Sequence, residues 1–75
     1  MTTILHGFTH ETQHGNILLI ERYIDKDSLV PFWKIAVSLP NDMARTLKDG
    51  LIHRPRKETI ERYADIADAN VGHKK

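Results

Sequence analysis

Residues 33–39 read Trp-Lys-Ile-Ala-Val-Ser-Leu, and the alternation is unbroken. Trp33, Ile35, Val37 and Leu39 share one side, and Lys34, Ala36 and Ser38 share the other. A period of two marks a strand with one face buried and the other facing water. No helix fits this pattern, so the chain must build a sheet and cover one side of it.

The segments before this strand agree. Residues 3–12 are rich in threonine, with Ile4, Leu5 and Phe8, a composition that favours strand over helix. Gln13-His14-Gly15-Asn16 is a turn signal, and residues 17–24 carry the apolar, β-branched and aromatic residues of a second strand. A second turn falls at residues 25–28, and Pro31 starts the third strand or sits at its edge.

After Leu39 the pattern changes. Asn41 or Asp42 is suited to cap a helix whose inner stripe is Met43, Ala44 and Leu47, with Gly50 as its stop. A further helix opens near Pro55, with Ile60, Tyr63, Ala64, Ala67 and Val71 on its apolar face and Ile66 beside that stripe. Glu58 and Arg62 form an i,i+4 surface pair. The expected fold is therefore α+β: a three-stranded antiparallel β-meander followed by two α-helices, in one domain spanning residues 1–75.

The 75 residues bound the chemistry further. A chain this short leaves little room for a walled cleft of the usual ~300–1,000 Å³. It has no cysteine, which excludes disulfides, thiolate zinc cages and a thiol nucleophile. Small secreted domains usually carry such staples, so the expectation is a cytoplasmic protein. The longest apolar run, Ile17–Ile20, falls far short of the ~20 residues that span a bilayer, and no signal peptide is expected at the N-terminus. The formal net charge of +1 hides an asymmetry. Residues 1–33 carry a net −2, whereas residues 34–75 hold nine Lys/Arg against six Asp/Glu. A polyanion should meet the second half.

One motif misleads. His10-Glu11-Thr12-Gln13-His14 fits the H-E-x-x-H pattern of zinc metalloproteases, and His6 extends its spacing. That chemistry needs a helix, where residues four apart share a face. On a strand they lie roughly 13 Å apart. We expect an extended segment with no metal, no cofactor and no enzymatic activity. Ser28 and Ser38 stand in no nucleophile-elbow pattern.

Residues 34–70 resemble the ribbon-helix-helix proteins, the dimeric DNA-binding domains of many antitoxins and of plasmid or phage repressors. Lys34-Ile-Ala-Val-Ser-Leu-Pro40 would correspond to the ribbon, Asn41–Leu47 to the first helix and residues 55–69 to the second. The resemblance implies a homodimer whose paired strands enter the major groove with Lys34, Ala36 and Ser38 facing the bases. It places DNA phosphates at the start of the second helix, at His53-Arg54-Pro55-Arg56-Lys57. Helix-start amides and fixed positive charge independently favour an anion there. This alternative fold, a ribbon-helix-helix dimer with an N-terminal β-hairpin extension, competes with the meander for residues 32–39.

The sequence thus predicts a small, non-enzymatic DNA-binding regulator of mobile-element type. Its contacts would be Lys34, Ser38, Arg54, Arg56 and Lys57. The alternative is a small inhibitor or adaptor that occludes a larger protein through Tyr23, Phe32 and Trp33.

Overall fold

The computed structural model describes residues 2–27, 29–39 and 43–71, with the backbone alone at Val71. Four strands come first: β1 (Thr2–Glu11), β2 (Ile17–Asp25), β3 (Phe32–Ser38) and β4 (Ala44–Leu51). One helix follows, α1 (Lys57–Val71). The strands form a single sheet in the order β1-β2-β3-β4, each antiparallel to the next.

Both expected folds are overturned. The segment after Leu39, read as a first helix, is the fourth strand. β3 is bonded to β2 on one side and β4 on the other, so it has no free edge to offer a symmetry mate. A ribbon-helix-helix dimer is excluded on that ground. Asn41 and Asp42, expected to cap the first helix, lie outside the described residues. Gly50 does adopt a positive φ, 72°, but inside β4 rather than after a helix. That conformation disfavours side chains and suits glycine.

The registers define two faces. Leu18 pairs with Val37 and Ile20 with Ile35, and all four are fully buried. They point to the helix, which answers with Ile60, Ala64 and Ala67 at spacings of four and three. The two alanines let α1 approach closely. Phe8, Leu39, Leu47, Leu51 and Tyr63 close the margins of this core. Fully burying each large side chain is worth about 1.5–3 kcal/mol, which makes this one cluster the main support of the fold. Ile66, beside the stripe, is exposed.

Among the described residues the opposite face carries no helix. Leu19 pairs there with Ala36, Glu21 with Lys34 and Tyr23 with Phe32. Among the described residues no helix is long and apolar enough to cross a membrane.

Each end of α1 is tied to the sheet by different chemistry. Near its C-terminal end, Asp68 accepts hydrogen bonds from the Thr12 hydroxyl (2.6 Å), the Asn16 side-chain amide (2.8 Å) and the His14 backbone N–H (3.4 Å). The Asn16 N–H in turn donates to the Thr12 hydroxyl oxygen at 2.9 Å. Thr12 and Asn16 are buried, so these groups must find partners inside the protein. Burial pushes the Asp68 carboxyl up, but the bonds from Thr12, Asn16 and the His14 backbone, with the His14 side chain, outweigh that and leave it below the usual carboxylate range. A negative charge near a helix C-terminus opposes the dipole, so these donors are what hold it there.

Candidate nucleic-acid interface

The short connection from β4 to α1 sets down the basic cluster. Arg54 lies between Leu51, the end of β4, and Lys57, the start of α1. Its guanidinium stands 4.7 Å from the centroid of the Phe8 ring and 5.8 Å from that of Trp33. The two rings meet edge-on, 6.4 Å apart. His6 completes the group at 6.2 Å from Phe8 and 6.3 Å from Trp33. His6 and Phe8 come from β1, Trp33 from β3 and Arg54 from the connection, so three separate stretches build the cluster.

The arrangement fixes Arg54 without using its hydrogen-bonding capacity. An aromatic face attracts a guanidinium by about 0.5–1 kcal/mol at an exposed site and restrains the orientation of its plane. Among the described residues the Arg54 N–H groups reach no oxygen, and the residue is exposed. Arg56 and Lys57 follow immediately and are also exposed. The first helical hydrogen bond runs from the Ile60 N–H to the Arg56 carbonyl at 2.9 Å, so the amides of residues 57–59 open beside these charges. Pro55 is buried against the protein and anchors the segment.

The strand residues predicted to share this role are elsewhere. Lys34 and Ser38 lie on the face away from α1, because they alternate with Trp33, Ile35 and Val37. Lys34 is held within that face: its Nζ lies 3.7 Å from Glu21 Oε1 and 5.5 Å from the Tyr23 ring centroid. Ser38 is half-buried and pairs with Ala44. The five proposed nucleic-acid contacts therefore divide into Arg54, Arg56 and Lys57 at the helix start, and Lys34 and Ser38 on the other side of the sheet.

The three aromatics proposed as a protein interface divide in the same way. Trp33 is a core residue, buried under Arg54. Tyr23 and Phe32 face the helix-free side, with ring centroids 6.3 Å apart. The Tyr23 hydroxyl donates to Asp49 Oδ1 at 2.5 Å. That bond, burial, and the charges of Asp49 and Asp25 push the phenol up to about 12.

His10 and Glu11 end β1 and point to opposite faces, while His14 lies in the following turn. The backbone is extended where the zinc motif needs a helix. Among the described residues no three histidine or acidic side chains are placed to hold a metal ion.

The polar group formed by Thr12, His14, Asn16 and Asp68 went unseen in the sequence. Asp68 lies more than fifty residues from the other three, and no local pattern joins it to them. No protein-family model matches the chain, and neither a curated protein nor a solved structure matches it.

Proposed function

We propose that the protein is a non-enzymatic nucleic-acid-binding module that grips the phosphate backbone of DNA through Arg54, Arg56 and Lys57. The observation that carries this reading is the stacking of Arg54 on Phe8 and Trp33. It holds a guanidinium in place at little entropic cost and leaves its donors for a ligand. Phosphate oxygens match that planar fork, and the neighbouring helix amides add donors of the same sign. Lys34 and Ser38 do not belong to this surface.

Titration of a labelled DNA duplex, followed by fluorescence anisotropy across a salt series, tests the reading. Affinity should fall steeply with salt, with a log–log slope of about −0.9 for each phosphate neutralised. The Arg54→Ala/Arg56→Ala double variant should lose affinity on all sequences alike, and its slope should shrink by about 2. Absence of binding at low salt, or binding that ignores salt, overturns it.

A second reading, a protein-binding adaptor or inhibitor, is favoured by the helix-free face. There Ile17, Leu19 and Phe32 are half-buried, with no element of the described chain above them. A stoichiometric protein partner that survives nuclease treatment and is lost on Leu19→Lys would favour it over the first.

A further inference from the structure

The sheet has two edges, and they are built differently. β4 shows the devices that discourage pairing with another chain. Its register against β3 shifts twice, it carries Arg45, Lys48 and Asp49, and Gly50 bends it at a φ of 72°. β1 has few of them. It is ten residues long, and its register against β2 shifts once, between Ile4 and His6, and then runs without a break to Glu11. It contains no proline, no lysine and no arginine, and Glu11 at its end is its one acidic residue.

Gly7 lies two residues after the register shift at Leu5, and no steric demand of the chain's own fold requires a glycine there. A Cβ there would meet the Glu21 Cγ at 3.6 Å and the Ile20 carbonyl oxygen at 3.7 Å, which are ordinary contacts, and its φ is not in the left-handed region. Glycine inside a strand is destabilising relative to alanine. A recurrent reason for tolerating that cost is the close approach of another backbone.

We propose that β1 pairs antiparallel with β1 of a second copy of this chain, about a two-fold axis at Gly7. The two four-stranded sheets would then be continuous. The strand is suited to itself. With the axis at Gly7, each Glu11 lies near Thr3 of the other copy, so the two carboxylates are at opposite ends of the interface. His6 falls opposite Phe8 of the second copy. Because β4 is bulged and charged, pairing through β1 closes the assembly at two chains instead of propagating. A two-fold perpendicular to the sheet puts both helices and both Arg54 groups on one face. The dimer does not depend on the nucleic-acid reading and is measured without nucleic acid.

Sedimentation equilibrium at micromolar concentration should give twice the 8.7 kDa chain mass. Leu5→Lys/Thr9→Lys should give the monomer mass with an unchanged far-ultraviolet circular dichroism spectrum, whereas Thr46→Lys on β4 should stay dimeric. As the chain has no native cysteine, a single substitution reports geometry cleanly. Gly7→Cys should cross-link to a covalent dimer on mild oxidation, because facing Cα atoms about 4.5–5.5 Å apart suit a disulfide, and Thr46→Cys should not. If the lysine double variant unfolds, the Gly7→Cys cross-link decides alone. A monomeric wild-type chain, or a dimer with no Gly7→Cys cross-link, overturns the proposal.

Discussion

The two ends of α1 are fastened in opposite ways. At the C-terminal end a carboxylate is surrounded by donors, and its bonds to Thr12, Asn16 and His14 stay within the protein. At the N-terminal end a guanidinium rests on rings that leave its donors uncommitted. A closed polar group stabilises a fold but has little left to offer a ligand. An open one contributes little to the fold and keeps its chemistry for something else. The comparison predicts that stability and binding divide between the two ends.

The largest effect on stability should come from Asp68→Ala. It leaves the buried Thr12 and Asn16 without their acceptor and should cost about 2–3 kcal/mol. For a domain of this size that lowers the melting temperature by roughly 10–20 °C. DNA affinity of the folded variant should not change. A loss under about 1 kcal/mol in a thermal melt would reduce this end to an ordinary surface contact.

Acid should expose the same end. Because the Asp68 carboxyl is lowered in the folded protein, its contribution is present above its unfolded value of 3.8 and disappears as pH falls through the folded one. Asp68→Asn should flatten that limb of the stability curve. If wild type and variant lose stability in parallel on acidification, measured by denaturant midpoints, the lowered carboxyl is wrong.

The N-terminal end is backed, on the other side of the sheet, by Tyr23. Its raised value means that its contribution is complete below pH 10 and is lost as pH rises through about 12. Tyr23→Phe should remove that alkaline loss and cost about 0.5–1.5 kcal/mol near neutral pH. Ultraviolet titration of the phenolate, with Tyr23→Phe as reference, reads the value directly. Ionisation near pH 10 would show that the bond to Asp49 is absent.

The smallest effect on stability belongs to Arg54→Ala, about 0.5–1 kcal/mol. The same substitution should produce a clear loss of DNA affinity. If it destabilises the protein as much as Asp68→Ala does, Arg54 is a structural clamp and the contrast between the two ends fails.

Much of the fold was legible in the sequence, and the error was confined to one segment. The alternation from Trp33 to Leu39 and the turn residues around Gly15 located three strands, and the Ile60–Ala67 stripe located α1. Residues 44–51 were misread because Met43 and Leu47 are four apart, just ahead of a glycine that can stop a helix. Four residues is about one helical turn and also two repeats of a strand, so that spacing does not discriminate between them. The Asn41 or Asp42 cap and the Gly50 stop then framed the segment as a helix. The strand forms because β3 offers an unfilled edge, and that tertiary fact is invisible locally. Gly50 signalled its positive φ correctly, but the same signal serves a helix end and a bent strand. At the site, the run of positive charge from Arg54 to Lys57 was readable. The rings beneath Arg54 were not, because they come from distant strands.

The bond from Thr12 to Asp68 also has a consequence for how the chain assembles. Each neighbouring pair in the sheet joins consecutive strands, and the described turn from Thr12 to Asn16 is closed by its own backbone bonds. Such hairpins close short loops and form early. The Asp68 bonds bridge more than fifty residues and form only once α1 lies across a finished sheet. Their loss should therefore accelerate unfolding and leave the refolding rate nearly untouched. The carboxylate that fastens the last turn of the helix then works as a latch on the way out: it sets how long the native protein lasts, and has little say in how quickly it is made.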